Sequence, residues 1–160
     1  MEPAPAELPP LVIQRIYPAS CQTVYDAWTH RAALEQWFAP EEGMTTRVLE
    51  LELHEGGRYR IEMVDTDGVT SHTVNGRFEV VDPPNQLVFT WAWEPHPGER
   101  PLDYAPCRVI VDLEAVGEGT RLTLTHQHLP SQPLIKEHES GWHGCLARLG
   151  DRVADSGATW

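Results

Sequence analysis

The chain has 160 residues, of which 24 are acidic and 12 basic, for a formal net charge of −12. That length is one ordinary domain of about 100–200 residues, and 41% hydrophobic with 22% charged residues is a globular composition. No apolar run approaches the roughly 18 residues of a membrane span, and no block of Lys or Arg exists to neutralise nucleic-acid phosphates.

Lys136 is the only lysine, and the arginines are scattered. The first residues lack the basic end and apolar run of a secretion signal. Cys21, Cys107 and Cys145 are odd in number and far apart, which reads as reduced thiols of a cytoplasmic protein.

Residues 1–10 carry four prolines and little to bury, and read as a flexible tail. Residues 155–160 read as a frayed end, leaving one domain over 11–154. Leu11 to Tyr17 is a β-branched and aromatic run stopped by Pro18, so it predicts a strand. Ser20 stands as N-cap before a helix over Cys21–His30, whose apolar Val24, Ala27 and Trp28 recur at helical spacing. Residues 32–38 predict a second short helix, ended by Pro40.

From about residue 45 the period becomes two. Leu49, Leu51 and Leu53 alternate with glutamates. Tyr59, Ile61 and Met63 follow Gly56-Gly57. His72, Val74, Gly76, Phe78 and Val80 come next, then Leu87, Phe89, Trp91 and Trp93 after Pro83-Pro84. Cys107, Val109, Val111 and Leu113 form another run, and Leu122, Leu124 and His126 the last. Six strands with short turns predict an antiparallel meander with one apolar face. From about 132 to 154, Ile135, His138, Trp142, Cys145, Leu149 and Val153 return to helical spacing. Gly141 and Gly144 cost this helix about 1 kcal/mol each against alanine, which a close approach to the sheet would justify. The expected architecture is α+β: a strongly curved antiparallel sheet of about seven strands, in β-α-α-β6-α order, wrapped around a long C-terminal helix.

Several local motifs sit in this order. They are Arg15-Ile-Tyr-Pro-Ala-Ser20 leading to Val24-Tyr-Asp-Ala-Trp-Thr29, Leu34-Glu-Gln-Trp-Phe-Ala-Pro40, and Gly56-Gly-Arg-Tyr-Arg-Ile-Glu-Met63. Gly76 to Trp91, Gly119-Thr-Arg-Leu-Thr-Leu124 and Gly141-Trp142 complete the set. Together they resemble the helix-grip fold of the START/SRPBCC (birch-pollen-allergen-like) superfamily. Within it the chain is most similar to the family named after the activator of heat-shock-protein-90 ATPase. The resemblance implies the fold over about residues 11–153; function varies among such proteins and does not follow from fold. Eukaryotic co-chaperones of that family carry a further N-terminal domain, for which the ten residues before the first strand leave no room.

The candidate site is an aromatic excess on inward faces. Trp28, Trp37 and Phe38 lie on the short helices. Tyr59, Ile61, Met63, Phe78, Phe89, Trp91 and Trp93 lie on the inner sheet face, and Trp142 and Cys145 on the long helix. Such walls line small-molecule cavities of roughly 300–1,000 Å³; filled core is the competing reading. His72, His126 and His138 are the inward polar groups, as is His128 by strand parity. His126-x-His128 with His138 or His143 has the ligand types of a zinc set, but its spacing fits no metal motif. No nucleophile elbow, P-loop or metalloprotease motif occurs, so no catalytic residue, metal or cofactor is expected. The break from Glu94 to Pro106 holds four further prolines, and its Leu102 and Tyr104 suit a lid.

The expectation is non-enzymatic binding of a small hydrophobic molecule, aromatic ones included, between sheet and long helix. No Arg is placed inward to pair an anion, so near neutrality a neutral ligand is expected. A protein-interaction, co-chaperone-like or stress-response module is the alternative, and a cavity enzyme a second alternative. An uncovered edge strand near His72 would suit a homodimer; otherwise the chain is a monomer.

Overall fold

The computed structural model describes residues 8–100 and 105–154. The lid residues Leu102 and Tyr104 lie outside the described residues, as do most of both tails. The chain runs β1 (Leu11–Tyr17), α1 (Cys21–Thr29), α2 (Arg31–Trp37), β2 (Thr45–Leu51) and β3 (Arg58–Val64). It continues through β4 (Ser71–Asp82), β5 (Gln86–Trp93), β6 (Cys107–Val116), β7 (Gly119–Gln127) and α3 (Gln132–Val153). The strands form one curved antiparallel sheet in the order β1-β7-β6-β5-β4-β3-β2. This is the expected helix-grip arrangement, with α3 on the inner face.

Helix α1 starts at the expected cap, Ser20, and α3 at Ser131, a cap the sequence reading did not name. Ser20 Oγ accepts from the Thr23 amide at 3.2 Å, and Ser131 Oγ from the Leu134 amide at 3.4 Å. Each bond satisfies one amide that the first helical turn leaves without a partner. Along α3 the buried residues are Trp142, Cys145, Leu146, Leu149 and Val153. They share one apolar core with Leu122, Leu124, Val109 and Val111 of the sheet. Tyr17 of β1 ties the helix down by donating its hydroxyl to the Leu146 carbonyl at 2.8 Å.

Gly76 and Gly144 mark close backbone approaches. A Cβ on Gly76 would stand 2.0 Å from the Thr90 carbonyl oxygen, so β4 and β5 close up there only without a side chain. A Cβ on Gly144 would stand 2.0 Å from the Pro40 carbonyl oxygen. The close approach of α3 is therefore to the segment after α2, not to the sheet as expected. A Cβ on Gly141 would meet only the Pro40 Cβ, at 3.9 Å.

Three readings need correction. In β2 the inward residues are Thr46 and Val48, while Leu49 is 38% and Leu53 40% exposed. The pairing with β3 shifts between Val48 and Glu50. That bulge inserts one residue and reverses the face of those after it, so Leu51 alone of the three leucines packs on the core. Second, the strand holding His72 is interior, and the sheet edges are β1 and β2. The β2 edge is covered: Arg31 of α2 donates to the Val48 carbonyl and Glu35 accepts from the Val48 amide at 3.1 Å. Third, β7 ends at Gln127, and His128 follows with φ 71° and an exposed side chain. Strand parity no longer applies to it.

Candidate functional site

The inner sheet face and α3 diverge at one end, leaving a cavity of about 480 Å³. Its walls come from several elements. Strand alternation sends Trp91 and Trp93 of β5 to the same face, beside Met63 of β3 and His72 of β4. On α3, Leu134, Glu137, His138, Gly141, Trp142 and Cys145 recur every three or four residues and so share one stripe. Phe38 and Pro40 close the side nearest α2, and Glu94, Pro95, His96 and Glu99 form the mouth.

The aromatic walls are in contact. Trp91 and Trp93 cross at 88° with ring centres 5.3 Å apart, and Trp91 and Trp142 tilt by 46° at 5.1 Å. Phe38 meets Trp142 edge-on at 5.8 Å. Offset and edge-to-face pairs of this kind are favourable ring geometries.

Two imidazoles hold the tryptophans. Trp93 Nε1 donates to His138 Nε2 at 3.0 Å, and His138 Nδ1 lies 2.8 Å from the Leu134 carbonyl oxygen. A carbonyl only accepts, so the His138 proton sits on Nδ1 and the ring is neutral. Burial pushes its pKa down. Trp142 Nε1 donates to His126 Nδ1 at 3.0 Å. Burial, and secondarily the neighbouring His138, pushes His126 down to about 3. Its single proton therefore occupies Nε2, which finds no acceptor, as do Trp91 Nε1 and Trp28 Nε1. Ring faces are the weak acceptors at hand: His126 lies edge-to-face with His138 at 5.1 Å and with Trp91 at 5.6 Å.

The mouth is polar. Glu94 accepts from Arg60 Nε at 2.6 Å and Nη2 at 2.7 Å, and from Asn75 at 2.8 Å. The Arg60 hydrogen bond holds its carboxyl below the usual range. His96 reaches the Ser71 carbonyl oxygen at 2.9 Å and Glu99 at 3.1 Å, and His72 reaches Asp65 at 3.1 Å. Burial pushes the Cys145 thiol up to about 12, so it is a protonated wall group.

Of the residues read from the sequence, Phe38, Met63, His72, Trp91, Trp93, His138, Trp142 and Cys145 line this cavity. Trp28, Tyr59, Ile61, Phe78 and Phe89 instead surround a separate apolar void of about 20 Å³. That volume is no more than a water's, so these five are packing residues here. Trp37 is fully buried, with Nε1 donating to the Ala27 carbonyl at 2.8 Å. His126 stands behind Trp142 and does not line the cavity. His128 is exposed, and His143 meets Arg15 at 3.0 Å. Among the described residues no group of three His, Cys, Asp or Glu side chains is placed to hold a metal. The sequence reading missed Leu134, Glu137 and Gly141, although all lie on the stripe of His138 and Trp142. It also missed Pro40 and the mouth residues Glu94, Pro95, His96 and Glu99, which directly follow Trp93.

Comparison with curated proteins gives no match. Among solved structures, a protein from Chromobacterium violaceum superposes with a TM-score of 0.81 at 22% identity, over 93% of this chain and 100% of that one. An AHSA1 protein from Silicibacter pomeroyi gives 0.79 at 27% identity, over 91% and 97% of the two chains. DynU16, a protein of the dynemicin biosynthetic locus, gives 0.70 at 20% identity, over 93% of this chain and 48% of that one. Residues 18–154, nearly the whole of the described structure, match a single family. The chain belongs to the Activator of Hsp90 ATPase homolog 1-like protein family.

Proposed function

We propose that the chain is a non-enzymatic binding protein for a small hydrophobic, aromatic molecule, held between β5 and α3. The observation that carries this reading is the cavity of about 480 Å³ with Trp91, Trp93 and Trp142 on its walls. Its volume falls in the range of small-molecule sites, roughly 300–1,000 Å³. Binding without turnover is supported by the state of three of the lining groups. His138 is engaged at both nitrogens, Glu94 is tied to Arg60, and the Cys145 thiol stays protonated. None of these is an acid or base free to act on a bound molecule.

The test is titration with N-phenyl-1-naphthylamine, a neutral probe that brightens in apolar surroundings. Saturable brightening is expected, with Gly141→Phe abolishing it because the new ring occupies the cavity. Absence of saturable binding, or equal binding by Gly141→Phe, overturns the reading.

A further inference from the structure

Granted the cavity as a binding site, its lining residues set the charge of the occupant. Glu94, Glu99 and Glu137 line the cavity, and among the described residues no Lys or Arg does. The arginines of this part of the sheet, Arg58, Arg60 and Arg77, line a groove on the outer face. Arg60 reaches the rim only to neutralise Glu94. Glu99 has His96 alone at 3.1 Å, and Glu137 has no cationic partner among the described residues. His72 is matched by Asp65 at 3.1 Å. His138, the remaining lining imidazole, has its two nitrogens taken by the Leu134 carbonyl and the Trp93 N–H, so it brings no charge. The rim is thus net negative, and the wall behind it is neutral and aromatic.

An anion entering this cavity would meet carboxylates and no counter-charge. A hydrocarbon would gain burial alone. An organic cation would gain burial, the attraction of the rim, and the negative faces of the indole rings. Trp93 is the half-exposed indole of the set, and the chain passes directly from it to Glu94 at the mouth. We propose that the cavity selects a hydrophobic organic cation, an amine or quaternary ammonium on an aromatic body. The body lies against Trp91 and Trp142, and the charge lies at Trp93 beside Glu99 and Glu137.

The experiment compares three ligands of nearly one shape by calorimetry. They are (2-naphthylmethyl)trimethylammonium, its neutral isostere 2-neopentylnaphthalene, and 2-naphthylacetate. At low salt the cation should bind about tenfold tighter than the isostere, and the anion weakest. The double variant Glu99→Gln/Glu137→Gln should shrink the cation preference to about threefold. The control Glu118→Gln/Glu139→Gln removes the same net charge from exposed positions off the cavity and should leave the preference intact. Equal affinity of cation and isostere, or a preference that both double variants reduce alike, overturns the charge assignment and leaves the hydrophobic site standing. Failure of both cation and isostere to bind overturns the cavity reading and the assignment together.

Discussion

Two glycines three residues apart on α3 should respond to alanine with opposite signs. In a helix interior, glycine costs about 1 kcal/mol against alanine, so either substitution gains that much from the backbone. At Gly141 nothing opposes the gain, since the new methyl meets only the Pro40 Cβ at 3.9 Å. At Gly144 it would lie 2.0 Å from the Pro40 oxygen, 2.8 Å from its carbonyl carbon and 3.0 Å from its Cα. All three are backbone atoms and none can rotate aside. The helix must shift by about 1 Å or more, loosening the Phe38–Trp142 contact, and a clash with backbone atoms falls at the upper end of overpacking costs, about 3 kcal/mol. Gly141→Ala should therefore stabilise by up to about 1 kcal/mol, and Gly144→Ala should destabilise by about 2 kcal/mol after the helical gain is deducted. Urea unfolding at neutral pH measures both; in a thermal scan, 1 kcal/mol is about 2–4 °C for a chain of this size. Shifts of the same sign, or a neutral Gly144→Ala, would refute the packing of α3 on Pro40.

Trp142→Phe leaves His126 Nδ1 buried without its donor and should cost about 1–3 kcal/mol; with His126→Leu already present the same change should cost less, as a double-mutant cycle by urea unfolding would show. Tyr17→Phe removes the bond to the Leu146 carbonyl and should cost about 1 kcal/mol in the same assay. His126 also sets a pH dependence. Its folded pKa of about 3 lies below the ordinary 6.5, so between these values the unfolded chain binds a proton that the folded chain refuses. Its contribution to stability is complete above pH 6.5 and is lost as the pH falls toward 3, by up to about 1.4 kcal/mol per pH unit. His126→Gln should flatten the stability slope through this window, and an unchanged slope would show that His126 is not buried neutral.

The fold was legible because period and punctuation agreed. In β5, Leu87, Phe89, Trp91 and Trp93 alternate without a break, and α3 lies within a residue of where its apolar stripe places it. The phase of β2 was not legible. Leu49, Leu51 and Leu53 alternate as an inward set would, and only the bulge beside Val48 turns Leu49 outward. His126 and His128 share strand parity, yet β7 stops between them. The site divides along a different line. Parity finds inward side chains, but it does not distinguish Trp91, which faces a cavity, from Phe89, which faces a water-sized void. That difference arises from how α2 and α3 spread over the sheet, a matter of tertiary packing. The acidic rim was hidden because Glu94 and Glu99 occupy a loop and Glu137 looks like any solvated helix charge.

A ligand held between β5 and α3 would change the surroundings of the indole rings that line that space. The most direct measurement is the indole N–H spectrum of isotopically labelled protein during titration with N-phenyl-1-naphthylamine. The Trp91, Trp93 and Trp142 signals should move together along one saturating curve, while that of Trp37, sealed in the core on the Ala27 carbonyl, stays nearly still. Saturable binding that leaves those three signals in place would contradict the account.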